Sequence, residues 1–189
     1  MKKGSTGGGG TPIRWVALLR GINVGGHKPV KMDELKRAFA SLGFQGCTTL
    51  LASGNVLFET AEADRSVLVR AIEEALARTF GHEIGVALRT VQEIQKLADL
   101  EPFAAVEVTP QTRLYVTFLA AGTPKHALRA GGTPGADFTI VRVTPGEVCI
   151  ALTLSRTSGT PELMSYLDKA LGRTVTTRNW NTVAKILKG

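Results

Sequence analysis

The chain has 189 residues, 43% of them hydrophobic and 21% charged, a balance that excludes a wholly disordered chain and suffices for one large core or two small ones. Lys and Arg number 23 against 16 Asp and Glu, a formal charge of +7, which favours anionic partners such as phosphorylated ligands or nucleic acid. Cys47 and Cys149 stand in apolar runs in different halves of the chain; they make no disulfide framework and read as buried reduced thiols, which points to a cytoplasmic protein.

Residues 1–12, with four consecutive glycines at Gly7 to Gly10, read as a flexible tail. Gly and Ser follow Lys2-Lys3 where the apolar part of a signal peptide would have to stand, so export is not expected. No run approaches the roughly 18 apolar residues of a membrane span.

Ile13 to Arg20, bounded by Pro12 and Gly21, predicts a strand. Met32, Leu35, Ala38, Phe39 and Leu42 recur at helical spacing, with Asp33 and Glu34 in the first turn and Gly43 past the end. Cys47 to Leu51 and Asn55 to Thr60 are short strands around an Ala52-Ser53-Gly54 turn. Val67 (or Leu68), Ala71, Ile72, Ala75, Leu76 and Phe80 mark a second helix, and Ile84 to Arg89 a fourth strand. That order over 13–90 is β-α-β-β-α-β. Residues 91–112 supply a connecting helix (Val91, Ile94, Leu97, Ala98) and a Pro-punctuated linker.

The span 113–189 repeats the order without repeating the sequence. Leu114 to Ala120 is a strand, Lys125 to Ala130 a short helix, and Phe138 to Val143 with Glu147 to Leu154 a hairpin around Thr144-Pro145-Gly146. Leu163, Tyr166, Leu167, Ala170 and Leu171 mark a helix, Thr174 to Thr177 a final strand, and Trp180, Val183, Ala184 and Leu187 a last helix. The expected fold is therefore α+β: tandem ferredoxin-like (βαββαβ) subdomains with an extra C-terminal helix.

In a split βαβ unit the loop after the first strand and the hairpin between the second and third emerge at the same end of the sheet. This sets Arg20, Asn23, Gly25, Gly26 and Lys28 beside Ser53 and Asn55. The loop leads into a helix N-terminus, whose free N–H groups and dipole favour an anion. A plainer reading stands beside this one: the glycines supply turn conformations and the asparagines bond their own loops. The loop matches neither the P-loop nor the G-x-G-x-x-G pattern. In the second half, the loop holding Arg156 and the segment Thr177-Arg178-Asn179 leave one end of their sheet, with Thr177 or Asn179 also suited to cap the last helix. Facing ends would join all four segments in one basic inter-subdomain cleft.

Three segments resemble a known family. Val16-Ala17-Leu18-Leu19-Arg20-Gly21-Ile22-Asn23-Val24-Gly25-Gly26 with Met32 and Leu35, then Ser53-Gly54-Asn55-Val56 with Phe58, then Thr177-Arg178-Asn179-Trp180-Asn181-Thr182-Val183 are similar to the signatures of DUF1697 proteins. The resemblance implies a bacterial protein with duplicated ferredoxin-like subdomains, and it implies no established activity or catalytic residue.

Other chemistries find little footing. His27, His82 and His126 stand apart, so no metal site and no cofactor are expected. There is no nucleophile elbow, and the acidic residues fall mostly on helix faces rather than in a pair beside the loop after the first strand. An RNA-reading sheet needs stacked aromatics, and Trp15 alternates instead with core residues. Three readings remain: a binder, with or without turnover, of a phosphate- or carboxylate-bearing small molecule; a nonspecific nucleic-acid-binding accessory protein; or a structural role in which the loops lock the subdomains together. No membrane partner is expected, and the reaction and oligomeric state stay open.

Overall fold

The computed structural model describes residues 11–23, 29–120, 122–123, 128, 130–132, 137–155, 159–172 and 174–189. The first half runs β1 (Ile13–Leu19), α1 (Met32–Ala40), β2 (Gln45–Leu50), β3 (Asn55–Thr60), α2 (Arg65–Phe80) and β4 (Val86–Thr90). Its sheet has the order β2-β3-β1-β4, with every neighbouring pair antiparallel. After α3 (Val91–Asp99), the second half runs β5 (Thr112–Phe118), β6 (Phe138–Val143), β7 (Glu147–Thr153), α4 (Thr160–Leu171) and β8 (Thr176–Asn179), and α5 (Trp180–Lys188) follows. Its sheet order, β6-β7-β5-β8, reproduces the first. These are tandem ferredoxin-like units with a C-terminal helix.

Local chemistry sets the helix ends. Asp64 accepts the Ser66 and Val67 N–H groups at the start of α2, and Gly81 closes it at φ 72°. Thr90 and Glu93 form a reciprocal capping box on α3. At the start of α4, Glu162 accepts the Gly159 N–H at 2.7 Å. Leu68, Ile72 and Leu76 of α2 are buried at four-residue spacing, as are Leu163, Leu167 and Leu171 of α4.

Three clusters make up the core. Trp15, Ala17 and Leu19 of β1 pack with α1 and α2. Leu152 and Ile150 of β7 pack with α4 in the second half. Between them, Val16 and Leu18 of β1 meet Val116 and Phe118 of β5, Ile94 and Leu97 of α3, and Val183 and Ile186 of α5. Each sheet is thus covered on both faces, and α3 and α5 pack against one another within the shared middle cluster.

Some expectations shift. The connecting helix proves to be part of the interface core, because its apolar stripe has both sheets to face. The final strand lies two residues further on than the Thr174–Thr177 pattern suggests: pairing of Val116 with Arg178 and Tyr115 with Asn179 draws both polar residues into β8. Cys149 is buried and Cys47 only half-buried, and both are free thiols; burial pushes the Cys149 pKa up to about 12, with Glu147 adding to the shift. The helix expected over 125–130 falls mostly outside the described residues, and Leu128 and Ala130 are not helical. Among the described residues no helix is long and apolar enough to cross a membrane.

Candidate functional site

Arg178 is the penultimate residue of β8, and its side chain crosses into the first half. Its Nε donates to Asn55 Oδ1 at 2.6 Å and its Nη2 to the carbonyls of Leu19, Ser53 and Gly54 at 2.6, 3.0 and 3.2 Å. Nη1 donates to Thr176 Oγ1 and the Thr177 carbonyl. Burial pushes its pKa down to about 10, which leaves the guanidinium protonated at neutral pH. Acceptors at all three nitrogens leave it no direction in which to hold an external anion.

A corresponding arrangement lies at the opposite end of the interface. Arg89 is the penultimate residue of β4 and crosses into the second half. Its Nη2 donates to the carbonyls of Leu119 and Gly146 at 2.9 and 2.6 Å, its Nη1 to the Leu88 carbonyl, and its Nε to Glu147 Oε1 at 2.7 Å. The receiving backbone is alike in both halves, with the Leu19 N–H bonded to the Gly54 carbonyl and the Leu119 N–H to the Gly146 carbonyl, each at 2.8 Å. Each half therefore sends an arginine from its last strand into the other half's hairpin. One ring closes on an amide, Asn55, and the other on a carboxylate, Glu147.

The two ends then diverge. Arg20, the residue after Leu19, reaches Asp168 of α4 at 2.9 Å. The corresponding residue after Leu119 is Ala120, and on α2 the counterpart of Asp168 is Glu73, each one position after a buried residue of its stripe (Ile72, Leu167). Ala120 cannot span that gap. A cavity of about 620 Å³ opens there between the halves, bounded by Val69, Val86, Leu88, Leu119 and Pro145 and by the charged residues Asp64, Arg65, Arg70, Glu73 and Arg89. A further hollow adjoins it and shares Arg65, Arg89, Pro145 and Gly146.

The charge of this cavity is balanced rather than basic. Arg89 is paired with Glu147, and Arg65 holds Glu93 through Nη2 at 2.6 and 2.7 Å. Burial pushes the Glu93 carboxyl up, but hydrogen bonds from Arg65 and the Thr90 N–H, with the charges of Arg65 and Arg89, outweigh it and lower the pKa. Arg65 also lies 5.6 Å from the centre of the Trp15 ring. The Asp64 carboxyl is lowered chiefly by hydrogen bonds from Ser66 and Val67, with a contribution from the charge of Arg70.

The residues singled out from sequence separate into groups. Asn55, Ser53 and Arg178 come together in one network, with the Asn55 amide donating to Leu50 O and Ser53 Oγ. Asn23, at φ 58°, donates to the carbonyls of Val30 and Ala52 and accepts the Val30 N–H, so it binds its loop to the hairpin. Arg20 is ion-paired, and its Nη1 is buried without an acceptor among the described residues. Asn179 caps α5 through the Asn181 N–H and stands apart from that network, with its partners in the second half. Gly25, Gly26, Lys28 and Arg156 lie outside the described residues. The cavity residues Ala120, Glu73 and Arg89 were not anticipated. The signal that could have found Arg89 is the shared ending of both halves, an arginine and then a capping residue ahead of a helix: Arg89-Thr90-Val91 and Arg178-Asn179-Trp180.

Among curated proteins no match to the chain is found. Among solved structures, the chain resembles the conserved bacterial protein SP0830 from Streptococcus pneumoniae, with a TM-score of 0.69 at 24% identity over 94% of this chain and 98% of that one, a likeness of fold. The family model for DUF1697, described as a protein of unknown function, matches residues 13–148. That match takes in β1, the β2–β3 hairpin that receives Arg178 and the β6–β7 turn that receives Arg89, and the chain belongs to the DUF1697 family.

Proposed function

We propose that this protein binds a small molecule between its two halves, in the cavity at the Arg89 end. The observation that carries the reading is the contrast between corresponding ends: the Arg20–Asp168 pair bridges one, and about 620 Å³ stays open at the other. That volume falls within the roughly 300–1,000 Å³ usual for small-molecule sites, which are mostly apolar with a few polar groups that fix orientation. Val69, Leu88 and Leu119 supply the apolar wall, and Glu73 and Arg70 the polar groups. The arginine networks at both ends hold the walls in place, so a ligand meets a formed site.

Ala120→Arg tests this, because it offers Glu73 the partner that Asp168 already has at the other end and fills the opening. A ligand at about 100 times its dissociation constant stabilises the native state by about 2.7 kcal/mol. In a thermal-shift panel of metabolites we expect at least one saturable shift with the unsubstituted protein and none with Ala120→Arg. A shift that survives the substitution, or a panel without any, removes this site.

A second reading has one observation in its favour. Among the described residues the buried Arg20 Nη1 lacks an acceptor, and a phosphate or carboxylate oxygen would supply one through a charge-assisted bond. This is the anionic ligand expected beside Asn23, Gly25, Gly26 and Lys28, with Arg178 serving only to hold the hairpin. Phosphate should then raise the melting temperature saturably, and Arg20→Gln should abolish the rise. Nucleic-acid binding rests on the net charge alone, and its mark would be a steep loss of affinity with salt.

A further inference from the structure

The cavity and the closed end are two versions of one place, and the closed version displays what the open one lacks. At the closed end a guanidinium lies between the end of a central strand and a helix carboxylate, Arg20 on Asp168 at 2.9 Å. At the open end the carboxylate is Glu73. Its Oε1 accepts the Val86 N–H at 2.9 Å, which anchors the side chain at the cavity wall. Among the described residues no Lys, Arg or His is ion-paired with it.

The surroundings favour a cation at that carboxylate. Glu73 also borders a neighbouring hollow whose other charged residues are Glu74 and Glu83; of these, Glu74 has Arg78 at 3.9 Å. Of the arginines bordering the cavity, Arg89 is paired with Glu147 and Arg65 with Glu93, although Arg65 Nε is buried without an acceptor among the described residues. Beyond the carboxylate the walls are hydrocarbon: Val69, Leu88 and Leu119.

Resting on the reading of this cavity as a small-molecule site, we infer that its ligand is an amphipathic organic cation, a guanidinium or ammonium group received by Glu73 with an apolar portion lying against Val69, Leu88 and Leu119. The cationic head takes the place that Arg20 fills at the other end. Charge-assisted hydrogen bonds to a partly desolvated carboxylate supply the selectivity, and the hydrocarbon portion supplies the affinity that leaving water provides.

The experiment compares pentylguanidinium with pentylurea, a neutral compound of similar shape, by calorimetric titration of the full chain. We expect the guanidinium to bind at least tenfold more tightly. Glu73→Gln keeps an oxygen for the Val86 N–H, and it should erase that preference while leaving pentylurea binding unchanged. Asp168→Asn, at the closed end, should leave the preference intact, and Ala120→Arg should abolish binding of both compounds. Equal affinity of the two compounds in the unsubstituted protein, or a preference that persists in Glu73→Gln, overturns the cation assignment while leaving the cavity as a binding site. Binding of neither compound, or binding that survives Ala120→Arg, overturns the cavity reading and this assignment with it.

Discussion

A guanidinium carried into a protein interior stabilises the fold only when its donors find acceptors, and Arg178 has six contacts from its three nitrogens. Arg178→Met leaves the carbonyls of Leu19, Ser53 and Gly54 without that donor, and a buried acceptor left without a partner costs about 1–3 kcal/mol. Arg178→Lys should recover only part, since an ammonium lacks the planar fork that reaches several carbonyls at once. Arg20→Ala removes a pair open to solvent and should cost about 1 kcal/mol or less. Urea midpoints for the three variants check that order. Glu93 has a folded pKa below its ordinary 4.5, so its contribution is fully present above that value and disappears as pH falls through the folded pKa. Glu93→Gln should therefore flatten the acid limb of stability, followed by urea midpoints from roughly pH 6 to pH 3. Sequence marked Arg178 as a charged residue ahead of a helix. It could not tell a side chain turned toward a ligand from one turned toward carbonyls of the other half, because the acceptors lie more than a hundred residues away.

At the scale of elements, the two hairpins are the receiving parts. Gly54 ends the β2–β3 turn at φ +77°, and a Cβ there would stand 2.4 Å from Ile22 Cδ1. Gly54→Ala combines left-handed backbone strain with overpacking, so a loss of at least about 2 kcal/mol is expected from thermal unfolding. Its counterpart Gly146 has an ordinary backbone, and a Cβ there would meet Arg89 Nη2 at 3.0 Å. One glycine protects a turn and the other the approach of an arginine. The hairpin turns and the stripes of α2 and α4 were legible because their signals are local. The limits of β8 were not, since strand ends follow from pairing with β5. An amphipathic helix of nine residues such as α3 shows the same periodicity whether it covers one sheet or fills the space between two.

For the whole molecule, the shared middle cluster makes the halves interdependent. Separating them would expose Val16, Leu18, Val116 and Phe118 together with the apolar faces of α3 and α5. We expect one cooperative unfolding transition. Trp15 lies in the first-half core and Trp180 against the middle cluster, 5.2 Å from the Phe103 ring, so Trp180→Phe and Trp15→Phe leave one fluorescent reporter in each place. After allowance for each variant's own stability, measured by circular dichroism, fluorescence and dichroism midpoints should coincide; separated transitions would mean that the halves unfold independently. The run Val16-Ala17-Leu18-Leu19, apolar on both faces of β1, already carried the sign of a sheet covered on two sides. Which half would cover it was not written in either pattern.

The different residues at positions 20 and 120 also bear on why the halves are joined. A homodimer of identical units about a twofold axis must present the same side chain at both ends of an isologous interface, an arginine at each or an alanine at each. Fusion into one polypeptide lifts that requirement. One end can be bolted by Arg20 and Asp168 while the other stays open beside Ala120, so the site proposed above should take one ligand per chain, a stoichiometry that the calorimetric titration reads directly.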